Sequence, residues 1–241
     1  MTDERDSLKI LLVATGLSII LSFIPFASFV VYPFKVFVTF IHEGGHALAA
    51  LATLGSVDRI VINPDTSGLT LSRGGSAIIT ASAGYLTSTL FGALLLLTGR
   101  NGRNAKAALG FTAIAILGLT LLFVKGIFGW IVGIGLAAGL IFFAAMSSQK
   151  IAHFFLSFLA VQCCLNAIYD LNTLFVISAT TRESSDALNM QRLTFIPAII
   201  WAMLWLGLSV LVLGLTLKRY FKKSDKIDFE NLKNSRDYNY S

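Results

Sequence analysis

Long apolar runs, broken by short polar connections, dominate this chain. Seven of them are long enough to predict membrane-spanning helices, since a span needs about 20 mostly apolar residues. The second run is the weakest, because it contains two histidines and Glu43. The pattern predicts an all-α polytopic membrane protein with about six to seven transmembrane helices, at residues 8–32, 33–54, 75–98, 105–124, 126–146, 151–178 and 191–217.

Two interruptions between these runs have a character of their own. In the first, two β-prone runs, 57–62 and 69–72, flank a turn-forming Asn63-Pro64-Asp65-Thr66-Ser67-Gly68 sequence. This arrangement predicts a short β-hairpin directly after the second apolar run. The second interruption, 179–190, is polar and predicts an exposed connection.

Composition supports the membrane assignment. Only 13% of the 241 residues are charged, against about 25% in an average soluble domain, and the mean hydropathy is +0.75. The formal net charge is +6, but the cations lie in short loops and near the C-terminus, as in proteins oriented against anionic lipid. We therefore expect an integral, multi-pass protein without a nucleic-acid partner, in the plasma membrane if the source is bacterial.

The chain predicts one membrane domain, residues 1–217, followed by a basic, flexible tail, residues 218–241. The first apolar run is too long for a cleavable signal peptide. With seven spans, the basic loop around Arg103 lies on the same side as the tail, which favours a cytoplasmic C-terminus and an external hairpin. A different span count would invert this orientation.

The sequence His42-Glu43-Gly44-Gly45-His46 lies within the second apolar run. Residues four apart share one helix face, so two imidazoles in this register can hold one zinc ion at about 2.0–2.1 Å each. Glu43 can act as general base and then as proton donor to the leaving amine. Zinc lowers the pKa of its bound water toward about 7.

The apolar surroundings strengthen this interpretation. An ionisable residue at membrane depth costs about 2.5–3.5 kcal/mol on insertion scales, so a chance occurrence of the motif is disfavoured. Gly44 and Gly45 each lower helix propensity by about 1 kcal/mol. We expect them to leave open space where a peptide backbone approaches the site.

A site of this type needs a third protein ligand. Asp170 is the first candidate, because it is the only acid in the sixth apolar run and a buried carboxylate needs a positive partner. Its alternative role is a hydrogen bond to Asn166 or Tyr169. Asp186 is second and Asp65 third, since both lie in polar connections. His153, beside a lysine, more simply predicts an interfacial residue. The chain has no fourth histidine.

These residues resemble the site-2 protease-like intramembrane zinc metalloproteases, in the compact branch without a soluble regulatory domain. The resemblance rests on residues 40–47 within a membrane helix, on the hairpin after it, on the small-residue helix 81–92, and on a distant aspartate, Asp170. Many relatives carry a glycine after that aspartate, where this chain has Leu171. The Asn63-Pro64-Asp65 sequence is closer to the motif that these relatives have around the third ligand, but it lies in the hairpin.

The resemblance implies a three-helix catalytic core that holds one zinc ion per chain within the bilayer. It assigns His42, His46 and Asp170 as metal ligands and Glu43 as the catalytic base. It implies cleavage of a single-span membrane protein within or next to its transmembrane helix. The unwound substrate would pair with the hairpin as an added strand. Relatives place the site toward the cytoplasm, opposite to the side that the charge pattern favours.

Two other functions remain open from the sequence. One is a catalytically inactive relative that binds membrane clients, which the retention of Glu43 disfavours. The other is a small metal or proton transporter that uses the same ionisable residues as a path. The absence of paired broken helices or inverted repeats in the sequence counts against transport. We therefore expect a zinc metalloendopeptidase.

The small-residue pattern around Gly84 predicts close helix packing rather than a substrate channel, because such spacing is widespread in membrane helices.

Overall fold

The computed structural model describes the backbone of residues 4–180 and 185–238; the described side chains are those of residues 6–165, except 22 and 25, and of residues 185–220. Within these residues the chain forms eight α-helices and one two-stranded antiparallel sheet. In chain order they are α1 (Glu4–Phe23), α2 (Ser28–Ala52), β1 (Ser56–Ile62), β2 (Gly68–Arg73), α3 (Ala77–Thr98), α4 (Gly102–Leu122), α5 (Ile127–Met146), α6 (Gln149–Thr180), α7 (Asp186–Thr194) and α8 (Ala198–Tyr238).

The predicted helical architecture is confirmed, but the count of six to seven spanning helices is not. Within the described residues, four helices are long and apolar enough to cross a membrane, and the described part of α6 is a shorter apolar helix. Helix α2 is not among the four, because two histidines and Glu43 lower its hydropathy. The four are Ala77–Thr98, Gly102–Leu122, Ile127–Met146 and Ala198–Tyr220.

Two predicted boundaries are wrong. The first apolar run does not continue to residue 32, because α1 ends at Phe23 and a 3-10 turn, Pro25–Ala27, precedes α2. A proline disfavours helical backbone in the residue before it, which accounts for this end. The polar connection 179–190 is also not all exposed, since its last residues begin α7, where Ala187 and Met190 are fully buried.

Helix α2 lies at the centre of the core. Its buried face includes Val36, Phe37 and Phe40, and it packs against α3, α6 and the sheet. On its opposite flank, the added Cβ of an alanine at position 44 would lie 2.8 Å from Leu119 of α4. Enclosure by several helices fixes the direction in which the histidine face of α2 points.

The predicted hairpin is confirmed. Strands β1 and β2 pair in antiparallel register from Ser56 opposite Arg73 to Ile62 opposite Gly68. On its other edge, β1 bonds to the segment between α4 and α5, where the Ile60 amide donates to the Phe123 carbonyl at 2.8 Å. Among the described residues, no strand pairs with the outer edge of β2.

The hairpin turn is tied to α2. The Tyr32 hydroxyl donates to the Pro64 carbonyl at 2.7 Å, and the Thr39 hydroxyl donates to the Thr66 carbonyl at 2.6 Å. Asp65 accepts two hydrogen bonds from Ser67, which hold the pKa of its carboxyl below the usual value. The two hydrogen bonds from Tyr32 and Thr39 therefore hold the hairpin turn against α2.

The division into a membrane domain and a tail stays a prediction. The backbone of α8 continues as helix through residue 238, and its side chains beyond Tyr220 lie outside the described residues.

Candidate metal centre

The two motif histidines project from one face of α2, as their spacing predicts. Their rings meet edge to face with centroids 4.8 Å apart. Their Nε2 atoms lie 3.1 Å from each other. Since both atoms are potential lone-pair donors, this approach brings two ligand atoms to a common point.

Asp186, at the start of α7, completes the group. Its Oδ2 atom lies 3.1 Å from His42 Nε2 and 3.2 Å from His46 Nε2. In a tetrahedral zinc site with bonds of about 2.0–2.1 Å, neighbouring donor atoms lie about 3.3 Å apart. The three atoms thus form a nearly equilateral triangle of the size that one zinc ion requires, with the fourth direction free.

A backbone contact fixes the orientation of the His46 ring. His46 Nδ1 lies 2.6 Å from the carbonyl oxygen of Thr80, to which it donates. A histidine that donates from one nitrogen to a carbonyl presents the lone pair of the other nitrogen to a metal. The Tyr85 ring meets His42 at 89° with centroids 4.9 Å apart and holds that ring from the side.

The position of Asp186 follows from local structure. Ser185 caps α7, its hydroxyl accepting the Leu188 amide at 3.3 Å, and a carboxylate in the first turn of a helix is electrostatically favoured. The apolar side of α7 packs between α3 and α8, in a cluster with Ala81, Ala187, Met190, Ala198, Ala202 and Trp205. The helix end that carries the carboxylate is thereby held against α2.

Gly84 on α3 borders the space between the histidines. A Cβ built at this position would lie 2.5 Å from His42 Cε1 and 2.5 Å from His46 Nε2, and closer still to His42 Nε2. Only a residue without a side chain leaves the ligand nitrogens accessible. The site therefore contains a hollow that a methyl group would fill, as expected for a built metal position.

Glu43 is 5% exposed and lies beneath strand β2. The Thr70 hydroxyl lies 2.6 Å from Glu43 Oε2, to which it donates, and 3.1 Å from the Glu43 carbonyl oxygen. A Cβ at Gly68 would lie 2.6 Å from Glu43 Oε1. The strand thus approaches the carboxylate closely because residue 68 is glycine.

The comparison with protein families adds an independent observation. A model of the peptidase M50B-like family matches residues 12–216, a range that contains the whole constellation. The chain belongs to the peptidase M50B-like family. No curated protein gives a significant match to the chain, and neither does any solved structure. Membership of a metallopeptidase family agrees with the resemblance to site-2 protease-like enzymes that the sequence shows, and it indicates a metalloprotease in a membrane.

The remaining ligand candidates of this M50B-like protein are Asp170, Asp65 and His153. The side chain of Asp170 lies outside the described residues, so its assignment as a ligand stays a prediction. Asp65 lies in the hairpin turn, bonded to Ser67. His153 is 1% exposed, on a helix against which α1 and α4 both pack.

The expectation of open space beside Gly44 and Gly45 is wrong. A Cβ at Gly45 would lie 2.6 Å from the Thr87 Cβ of α3, so both glycines serve close helix packing. The open space lies on the histidine side of α2, in a cavity of about 1220 Å³ that Glu43, both histidines and Asp186 line. Residues 68–72 of β2 form part of its wall.

Three features of the site are not predicted by the sequence. The pattern around Gly84 predicts only helix packing, and nothing in the sequence singles out the Thr70 hydroxyl or the Thr80 carbonyl. The sequence offers one local indication for Asp186. Ser185 and Asp186 are residue types typical of a helix start, and a partly apolar segment follows them.

Proposed function

We propose that this protein is a zinc-dependent intramembrane endopeptidase with His42, His46 and Asp186 as metal ligands and Glu43 as general base. One observation carries the proposal: three ligand atoms converge at 3.1–3.2 Å from one another, in a cavity that a buried glutamate also lines. Among the described residues, Asp186 forms ion pairs only with these two histidines. A zinc ion is the partner that their chemistry fits.

Zinc bound at this position would lower the pKa of a water molecule and polarise the scissile carbonyl. Glu43 accepts the proton of the attacking water and delivers it to the leaving amine. Asp186 and the two imidazoles would hold the metal at the wall of the cavity. His46 keeps its ligating tautomer because Nδ1 donates to Thr80.

The substrate class follows from the location of the cavity. The site lies among apolar helices, and the free edge of β2 passes directly over Glu43. An extended peptide added to that edge gains main-chain hydrogen bonds and passes the base. We therefore assign a membrane-spanning protein, unwound locally within or next to its transmembrane helix, as the substrate.

Zinc content of the purified protein tests the ligand set. We expect about one zinc per chain in the wild type and an affinity about a hundredfold weaker or worse in His46→Ala and Asp186→Asn, since even second-sphere changes cost 10- to 100-fold. Asp170→Asn and the surface control Asp58→Asn should keep the metal. The measurement is elemental analysis combined with competition against a chelator.

The opposite pattern is equally informative. Zinc kept by Asp186→Asn and lost by Asp170→Asn would reverse the assignment of the third ligand. A folded wild type that binds no zinc after supplementation would overturn the peptidase proposal and favour a relative that binds membrane clients. Zinc transported across vesicles with Glu43→Gln unaffected would favour a transporter.

Thr70 positions the base in this proposal. Thr70→Val removes the hydrogen bond to Glu43 Oε2, so we expect kcat to fall about tenfold with unchanged KM and zinc content. Thr70→Ser, which keeps the hydroxyl, should restore most of the rate. Equal losses in the valine and serine variants would show that packing of the strand, and not the hydroxyl, is what matters.

A further inference from the structure

The cavity holds two cationic side chains that the peptidase chemistry does not use. Lys35 of α2 and Arg192 of α7 both line it and are both exposed. Among the described residues, neither has a carboxylate within ion-pair distance. Both therefore carry a full charge that faces the cavity without a partner from this part of the chain.

The charge balance of the cavity makes these cations significant. Its only described acids are Glu43 and Asp186, and these two charges balance the two charges of a zinc ion. The histidines ligate as neutral imidazoles. Among the described residues, Lys35 and Arg192 thus leave the lining of the loaded cavity with a net positive charge.

Both cations lie at a similar offset along their helix axes from a proposed metal ligand. Lys35 precedes His42 by seven residues on the same face of α2, which is about 10 Å along the axis at 1.5 Å per residue. Arg192 follows Asp186 by six residues, about 9 Å along α7. An extended peptide advances about 3.3 Å per residue, so either distance corresponds to about three residues of bound substrate.

We infer that Lys35 and Arg192 determine substrate specificity by selecting a membrane-spanning segment with an acidic side chain about three residues from the scissile bond. The inference rests on the proposed function, whose substrate it narrows. A glutamate in or near a transmembrane helix is costly to bury, and the two cations stabilise it at the moment when the segment enters the cavity.

A series of synthetic single-span peptides in lipid nanodiscs tests the inference. The peptides share one apolar sequence and carry Glu, Gln or Lys at successive positions on both sides of the cleavage point, which mass spectrometry locates in the Gln series. We expect Glu about three residues from that point to raise kcat/KM about tenfold over Gln in the zinc-loaded wild type. Lys at the same place should lower it.

Variants identify the groups responsible. Lys35→Gln and Arg192→Gln should each reduce the Glu-to-Gln ratio of kcat/KM toward one. The double charge reversal Lys35→Glu with Arg192→Glu should prefer the Lys peptide. Arg59→Gln removes an equal charge from an exposed position on β1 outside the cavity lining, and it should leave the ratio unchanged.

The outcomes separate this inference from the proposed function. The inference is overturned if the wild-type Glu-to-Gln ratio of kcat/KM is one, or if the ratio is unchanged in both Gln variants. Cleavage of the peptides would still support the proposed peptidase activity. If no peptide is cleaved, the inference is tested by binding instead. Fluorescence anisotropy then measures how tightly the Glu43→Gln protein binds the Glu and Gln peptides. Tighter binding of the Glu peptide, lost in Lys35→Gln, would uphold the recognition and overturn the peptidase.

Anionic lipid is the competing ligand for these cations. The nanodiscs are therefore prepared with zwitterionic lipid alone and with an anionic lipid added. A lipid dependence that disappears in the Lys35 and Arg192 variants, together with a Glu-to-Gln ratio of one, would assign the cations to a headgroup and overturn the inference.

Discussion

Replacement of Glu43 by glutamine is expected to lower peptidase turnover about a thousandfold, within the range that general acid–base catalysis contributes. Glutamine has the shape of glutamate, and its amide oxygen can still accept the hydrogen bond of Thr70. It cannot accept the proton of the attacking water. Because Glu43 is not one of the three converging ligands, the variant should keep its full zinc content. Turnover of a model transmembrane peptide and elemental analysis measure both quantities.

Asp58→Asn provides the matched control for this experiment. It removes a carboxylate of the same charge from an exposed pair with Arg73 on the hairpin, and it should leave both turnover and zinc unchanged. A Glu43→Gln protein with wild-type turnover would show that another group is the base. A variant that lost its zinc would instead place Glu43 among the ligands.

Replacement of Gly84 by alanine is expected to abolish both zinc binding and peptidase activity, although no ligand changes. The added methyl group would lie 2.5 Å from His42 Cε1 and from His46 Nε2, far inside van der Waals contact and in the space where the lone pairs converge. The rings must move apart, and a displaced ligand set loses at least about a hundredfold in affinity. Elemental analysis and peptide turnover report the loss.

Two glycine variants show whether this effect is local. In Gly118→Ala the new methyl group meets nothing within 4 Å, and the protein should behave as wild type. In Gly92→Ala, on the same helix as Gly84, the methyl group would lie 2.8 Å from Cys164 Sγ. This variant should lower the thermal stability but keep zinc in the folded fraction. A Gly84→Ala protein with a full complement of zinc would exclude the hollow as the metal position.

Much of the architecture was accessible from the sequence because membrane helices and hairpin turns follow local rules. The register of His42 and His46 on one helix face depends only on helix geometry, and the hairpin depends on the Asn63–Gly68 turn. Both predictions are confirmed. The boundary error at Phe23 has a simple cause, since apolar content indicates a span but does not show where a proline interrupts it.

The choice of the third ligand depends on properties that these local rules do not capture. Asp170 stands out in the sequence because its neighbours are apolar, whereas Asp186 lies in a polar stretch that needs no explanation. Its approach to the histidines depends on the packing of α7 between α3 and α8, which is a tertiary property. The same holds for Gly84, whose closeness to two imidazoles is set by how α3 packs on α2.

If His42, His46 and Asp186 are the ligands, as proposed, the order of synthesis determines when the metal site can form. The first and last ligands are separated by 144 positions, and chains enter the membrane with the N-terminal part first. The helix with the histidines and Glu43 is therefore inserted while the third ligand has not yet been synthesised. A partly made chain cannot cleave its neighbours, and metal capture then stabilises only the completed fold.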